Sequence, residues 1–294
     1  MIPINNKVQL YFTRILDCLF FENFFIACCA LCMVLNTLLI NNLPVSLSPY
    51  TIFLVFSSFL VYYLHDLSFK LDFSSTKQFF YSVTKLQLKT SLKIILTLSL
   101  GFSLIFFFFL SNKIRLLILL LGLISLAYSF PFVKRKNNWL KLREIPILKT
   151  PLIALVWSIT TSLIPLLEQN IRLSFSFFVL QVLSRSLFIF ALCIPFEMRD
   201  LDADKKSGVR TLAVIYGIKN TQITGITIVF CEIIIHHLMQ LSVPTVLSLD
   251  IASLIAMLWI INQKKFDSKY FYKAYVDGTM VFLFLLLLIA TDIS

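Results

Sequence analysis

The chain has 294 residues, 59% of them hydrophobic and only 14% charged, with 26 Lys and Arg against 15 Asp and Glu for a net charge of +11. A chain this apolar has too little polar material to coat a water-soluble globule of its size, so the composition excludes an ordinary soluble domain and points into lipid. The basic excess does not indicate nucleic acid, because no polar segment is long enough to fold into a basic domain that could hold a duplex.

A hydrocarbon core of about 30 Å takes about 20 apolar residues to cross as a helix. Runs of that size, bounded by charge or turn residues, predict nine spans: Glu22 to Ile40, Pro49 to Leu67, Leu92 to Leu110, Lys113 to Phe132, Ile145 to Leu167, Leu173 to Phe196, Ile218 to Met239, Val243 to Ile261 and Phe271 to Ala290. Lipid forces each segment to satisfy its own backbone polar groups, and these Leu, Ile and Phe runs lack the alternation of a barrel strand, so they are helices. The expected fold is all-α, a polytopic membrane protein with about nine transmembrane helices forming one domain over residues 1–294.

Positive charge falls in alternate loops. Lys7 and Arg14 precede the first span, and Lys70, Lys77, Lys85, Lys89 and Lys93 surround the second loop. Lys134, Arg135, Lys136, Lys141, Arg143 and Lys149 fill the fourth, Arg199, Lys205, Lys206, Arg210 and Lys219 the sixth, and Lys264, Lys265, Lys269 and Lys273 the eighth. The positive-inside rule puts the N-terminus and the even-numbered loops in the cytoplasm and the C-terminus outside. No cleavable signal peptide is expected, because the first apolar run is long enough to span and no small-residue cleavage site follows it.

Several conspicuous residues read as structural. The six cysteines lie in or beside spans, and the CxxC of Cys29 and Cys32 sits inside an apolar helix without a second pair, which suits packing better than metal or redox work. His236 and His237 fall near the outer end of the seventh span. A charge near the bilayer centre costs about 2.5 to 3.5 kcal/mol on insertion scales and faces a partner. Arg185 and Glu232 lie at matching depths on consecutive antiparallel spans, about 18 Å from the cytoplasmic ends, so they are expected to pair with each other. Asp277, just inside the ninth span near its cytoplasmic end, is a third buried charge.

Chemistry concentrates after the sixth span, where Glu197, Asp200 and Asp204 stand at i, i+3 and i+7, one face of a continuing helix. Three carboxylates at this density repel and call for a cation among them. Hard oxygen ligands suit Mg²⁺, which bridges a few carboxylates to substrate phosphates. The competing reading is a solvated charged loop in which Arg199, Lys205 and Lys206 pair locally.

The string from Glu197 to Leu212, EMRDLDADKKSGVRTL, resembles the second aspartate-rich motif of the UbiA superfamily of intramembrane prenyltransferases. Members have nine transmembrane helices around a central cavity, with this motif after the sixth and another after the second, both cytoplasmic, matching the topology above. Tyr128 and Lys134, in AYSFPFVKRK, are similar to the family's tyrosine and lysine near the diphosphate. The resemblance implies Mg²⁺ ligands at Glu197, Asp200 and Asp204, with Glu in place of the usual first Asp. It implies diphosphate binding by Lys134 and Arg210, with Arg143 and Lys149 as weaker additions, and Tyr128 near the allylic carbon.

The first motif departs from the family's pattern. Aligning Asp66 with its middle aspartate puts Tyr62 and Tyr63 where Asn and Asp are usual and Lys70 where the last Asp stands. Asp66 remains as metal ligand and catalytic residue, Asp72 can compensate from an offset position, Lys70 can itself neutralise diphosphate, and His65 reads as an interfacial neighbour. The implied activity, with Asp66, Asp200, Asp204 and Tyr128 catalytic, is Mg²⁺-dependent transfer of a prenyl group from a polyprenyl diphosphate to a hydrophobic or aromatic acceptor. The alternative is a non-catalytic isoprenoid- or lipid-binding relative with an eroded first metal site. A transporter is a third reading, disfavoured because the acidic cluster and the basic loops lie on one side of the membrane.

Overall fold

A computed structural model of the protein describes residues 23–70, 90–131, 133–135, 138–171, 174–265 and 270–293. Among these residues eight helices are long and apolar enough to cross a membrane, and a ninth apolar helix, Phe24–Ile40, has 17 residues. That is about 25 Å at 1.5 Å per residue, at the short end of what a bilayer core requires. The other spans are Pro49–Lys70, Thr90–Phe109, Asn112–Ser129, Lys149–Glu168, Phe175–Arg199, Leu212–Leu238, Val243–Asn262 and Phe271–Asp292. All nine expected spans are present, and the bundle is all-helical apart from a small antiparallel hairpin pairing Val133–Arg135 with Asn138–Leu140. Glu22, the expected start of the first span, lies outside the described residues.

Boundaries move where local chemistry outweighs hydropathy. The fifth span begins at Lys149 rather than Ile145, because Leu142–Glu144 makes a 3₁₀ turn and Ile147 takes φ 65°, donating its N–H to the Arg210 carbonyl at 2.9 Å. The seventh begins early, at Leu212, where the Thr211 hydroxyl caps the Val214 N–H. It bends at Gly217, whose φ of 77° a side chain would resist. Two spans contain π-helical turns, Ile159–Leu163 in the fifth and Phe271–Val276 in the ninth. In the fifth, donors from other spans take the displaced carbonyls: the Tyr50 hydroxyl reaches Thr160 at 2.5 Å and Thr37 reaches Thr161 at 2.7 Å.

Among the described residues three packed clusters hold the bundle. One joins the first, sixth, eighth and ninth spans through Cys29, Met33, Phe188, Leu192, Ala252 and Leu287, a second joins the first, second, fourth and fifth through Val34, Tyr50, Leu121 and Ile164, and a third joins the sixth, seventh and eighth through Ile194, Val229 and Ile260. Small residues allow close approach. A Cβ added at Gly225 would lie 3.0 Å from Ile260 and 3.1 Å from Ile194. Outward faces carry Leu98, Phe108, Leu119, Ile234, Leu254 and Ile289, all exposed, as lipid-facing surfaces require.

Arg185 and Glu232 are both buried and line one small cavity of about 20 Å³, but the expected direct ion pair is absent among the described residues. Arg185 instead donates to Thr37 Oγ1 at 3.2 Å and approaches Met33 Sδ at 2.9 Å. The reason is His236, one turn beyond Glu232 and fully buried, whose Nε2 lies 3.3 Å from Glu232 and whose Nδ1 lies 2.8 Å from Asp250. His236, which sequence places near the outer end of the seventh span, therefore belongs to this buried polar cluster.

Candidate active site at one end of the bundle

The sixth span runs to Arg199 with Pro195 inside it, and the chain turns at Asp200 into the short helix Leu201–Ser207, which Gly208 ends in the left-handed region at φ 74°. The predicted continuous helix is thus jointed at Asp200. Backbone bonds from Asp200 to Phe196 and from Asp204 to Asp200 keep the i, i+4 register across the joint, so Asp200 and Asp204 still converge. They converge on Lys149 in the first turn of the fifth span, whose Nζ lies 3.0 Å from Asp204 and 3.9 Å from Asp200.

Glu197 is placed differently. It is 2% exposed, accepts a hydrogen bond from the Thr150 hydroxyl on one oxygen, and accepts the Leu212 N–H at 3.0 Å on the other. Both oxygens serve to tie the fifth, sixth and seventh spans together, so the metal-ligand role expected for Glu197 does not match its bonding here. Of the expected local pairings, Arg199 does pair with Asp200, at 2.7 Å, whereas Lys205 and Lys206 are exposed and make no ion pair among the described residues. The Arg199 guanidinium also lies over the rings of Phe196 and Tyr272, 5.0 and 4.6 Å from their centroids.

Across from this motif, Asp66 accepts from Asn23 at 3.0 Å, and His65 Nδ1 lies 3.2 Å from the Ser129 hydroxyl with its ring 5.5 Å from that of Tyr128. Tyr62 accepts the Trp157 indole N–H at 3.1 Å. Arg143, in the 3₁₀ turn, is 8% exposed; burial pushes its guanidinium pKa down, and Tyr128, Glu144 and Asp204 pull it back. Lys141 is lowered for the same reason, with the Arg143 charge adding, and its Nζ lies 3.4 Å from the Ser68 carbonyl. Arg210 is exposed and lines neither of the cavities described below. Asp72 and the side chains of Lys70 and Lys134 lie outside the described residues.

Two cavities meet here. A charged one of about 280 Å³ is lined by Asp66, Lys149, Glu197, Asp200, Lys273 and Asp277, among others. An apolar one of about 250 Å³ runs between the second, fourth and fifth spans from Tyr50 to His65, a helical distance of about 22 Å. Tyr62, His65, Tyr128, Ile153 and Trp157 line both. Among the described residues no three or more His, Cys, Asp or Glu side chains form a ready metal cage. Neither Asn23 nor Trp157 carries a mark in the sequence, since one precedes a span and the other looks like any aromatic within one, and positive-inside bias alone explains a lysine at position 149.

Residues 83–287 match the family model described as the UbiA prenyltransferase family. The chain belongs to that family. It is therefore an integral, multi-pass membrane protein of a prenyltransferase family. Solved structures share its fold over nearly their whole length. A UbiA homologue from Aeropyrum pernix K1, in its apo form, is 12% identical, covering 93% of this chain and 96% of that one at TM-score 0.61. A UbiA homologue from Archaeoglobus fulgidus bound to DMAPP and Mg²⁺ is 14% identical, covering 94% and 99% at TM-score 0.54. The same homologue bound to GPP and Mg²⁺ is 13% identical, covering 93% and 99% at TM-score 0.55. No curated protein matches the sequence directly. In this UbiA-family chain the charged cavity draws on the starts of the first, fifth and ninth spans and the ends of the second, fourth and sixth, which gather at one end of the bundle.

Proposed function

We propose that this chain is an intramembrane prenyltransferase that moves a prenyl group from a polyprenyl diphosphate to a hydrophobic acceptor, working at the cytoplasmic side. The observation that carries this reading is the pair of joined cavities: a charged one of about 280 Å³ for the diphosphate and an apolar one of about 250 Å³ for the isoprenoid chain. A substrate with an anionic head and an apolar tail suits both at once. The end of the bundle holding the charged cavity carries the basic loops, which the positive-inside rule assigns to the cytoplasm.

The donor set fits Mg²⁺ held by one or two carboxylates and the substrate's own phosphates, since Asp200 and Asp204 converge while a protein-only cage is absent among the described residues. Asp200 and Asp204 would hold the ion, with Asp66 on the wall of the same charged cavity and Asp72 a further candidate from the sequence. When bound, Mg²⁺ neutralises charge on the departing diphosphate. Related A. fulgidus structures contain Mg²⁺ with DMAPP or GPP.

Lys149, which lines the charged cavity, is the chain's own cation for the diphosphate, with the buried Arg143, which lines neither cavity but feels the charges of Tyr128 and Asp204, and Lys70 and Lys134 as further candidates. As the allylic C–O bond breaks, their fixed charge stabilises the leaving group. Tyr128 lies between the head and tail cavities, where the allylic carbon would sit. Packed spans around the apolar cavity keep water from the carbocation. The remainder of the charged cavity, bounded by Asn23, Lys273 and Asp277, gives the acceptor room.

The second reading, a non-catalytic isoprenoid-binding relative, draws on one observation: Glu197 has both oxygens engaged within the protein and Asp66 bonds Asn23, leaving fewer carboxylates for metal. Turnover of radiolabelled geranyl, farnesyl and longer polyprenyl diphosphates by the purified protein in lipid, with and without Mg²⁺, decides between them. Metal-dependent transfer or diphosphate release that Asp200→Ala and Asp204→Ala abolish supports the enzyme; diphosphate binding without turnover across donors and acceptors supports the binding protein.

A further inference from the structure

Four of the five residues shared by the two cavities are aromatic: Tyr62, His65, Tyr128 and Trp157. They form a collar between charge and hydrocarbon. Trp157 is the largest of these rings, and both its side chain and its backbone are hydrogen-bonded. Its indole N–H is donated to the Tyr62 hydroxyl at 3.1 Å, with the two rings edge to face at 6.5 Å. Its carbonyl accepts the Thr161 hydroxyl at 2.7 Å, at the entrance to the π-helical turn Ile159–Leu163. Turns of this kind are frequent at functional sites.

We propose that Trp157 is a catalytic residue, the π surface that stabilises the allylic cation of the donor, with Tyr62 as the positioning residue that holds the indole. The inference rests on the prenyltransferase reading above and deepens it. A donor with its phosphates near Lys149 and its chain in the apolar cavity carries its C1 through the collar. There the C1–O bond breaks, the electron pair leaves with the diphosphate, and positive charge spreads over C1 and C3 of the allyl group. The acceptor's electron pair then forms the new bond at C1, and its proton passes to a carboxylate of the charged cavity. An indole face attracts a cation more strongly than any other side-chain ring, and it offers no lone pair to capture the cation. A carboxylate in the same place could form an ester with it.

The chain has three tryptophans, Trp139, Trp157 and Trp259, so a W139F/W259F background isolates the one of interest. In that protein, reconstituted in lipid with Mg²⁺, Trp157 is replaced biosynthetically by mono-, di-, tri- and tetrafluorotryptophan, which withdraw ring electron density at nearly constant shape. Diphosphate release from geranyl diphosphate is then measured. The expected result is a linear fall of log kcat with fluorine number, reaching about 30-fold, with KM for the donor unchanged. Equal rates across the series in an active protein overturn the assignment while leaving the prenyltransferase reading intact. A wild-type chain inert toward every donor overturns both.

Should the background substitutions themselves cost activity, binding to the otherwise natural chain gives the answer. W157F and W157L are compared using a geranyl diphosphate analogue with an ammonium nitrogen at the C3 position and its neutral carbon counterpart. Selective loss of affinity for the ammonium analogue in W157L, smaller in W157F, supports the role; equal loss for both analogues makes Trp157 a packing residue and overturns it. Y62F, which removes the hydroxyl that accepts the indole N–H, is expected to lower kcat less than W157L and to flatten the fluorination slope.

Discussion

Lys149 Nζ stands 3.0 Å from Asp204 and 3.9 Å from Asp200, so a single ammonium at the start of the fifth span bridges the two acids of the short turn after the sixth. It compensates two carboxylates that stand one turn apart and would otherwise repel, and it can exchange them for a diphosphate once a divalent cation is present. Lys149→Ala is expected to weaken donor binding about 10- to 100-fold, the size of a hydrogen bond to a charged group, and to raise the Mg²⁺ concentration needed for half-maximal binding. Titration of inorganic pyrophosphate with and without Mg²⁺ checks this; unchanged pyrophosphate affinity would remove Lys149 from the site.

Glu197 separates two roles that the acidic motif leaves merged. As a clasp, its loss strands the Thr150 hydroxyl and the Leu212 N–H in a buried place, which costs about 1 to 3 kcal/mol per group. Glu197→Ala is therefore expected to lower the thermal unfolding temperature in detergent markedly. Glu197→Gln, which keeps one acceptor oxygen, should lower it less. Asp200→Ala, by contrast, should leave stability near wild type and lose activity. A fully stable but inactive Glu197→Ala protein would make Glu197 a ligand after all.

Arg143 gives a pH-linked prediction. Burial lowers its guanidinium pKa in the folded state, so at neutral pH, where folded and unfolded forms are both protonated, the fold carries the full cost of the buried charge. That cost is relieved only as pH rises through the lowered folded value toward the unfolded one, so this group's contribution to stability is flat through neutrality and improves in strongly alkaline solution. Arg143→Met is expected to melt no lower than wild type without ligand, yet to lose most of the rise in melting temperature that geranyl diphosphate gives. If Arg143→Met is destabilised alone and stabilised normally by donor, the guanidinium is structural.

The spans were legible because lipid imposes one requirement, about 20 apolar residues, that reads directly from hydropathy. The joints were not, because each depends on a partner remote in sequence. The π turn at Ile159–Leu163 needs Tyr50 and Thr37 from other spans, and the late start at Lys149 is fixed by an Ile147 bond to Arg210. The acidic motif was legible in its residue types, and so was Arg199 as a local partner of Asp200, but the cation shared by Asp200 and Asp204 was not: nearby Lys205 and Lys206 looked like partners, while Lys149 lies 55 residues from Asp204. Trp157 carried no signal at all. An indole in an apolar helix becomes informative only when a cavity is found on either side of it.

Arg185 and Glu232 were expected to touch and instead share a cavity of about 20 Å³, large enough for one water. Gln181 Nε2 and Glu232 Oε2 are buried without hydrogen-bond partners among the described residues, and both residues line that cavity. A single ordered water donating to Glu232 Oε2 and accepting from Gln181 and Arg185 would satisfy them together. Removing one member of such a buried pair strands the other, at a cost of about 3 to 5 kcal/mol, so Arg185→Met and Glu232→Leu are each expected to destabilise strongly. The double variant should recover much of that loss, because two apolar side chains fill the space without a stranded charge. Unfolding in detergent for all four proteins of the cycle measures the coupling. Additive losses would mean that His236 and Asp250 alone compensate Glu232, and that Arg185 answers only to Thr37 and Met33.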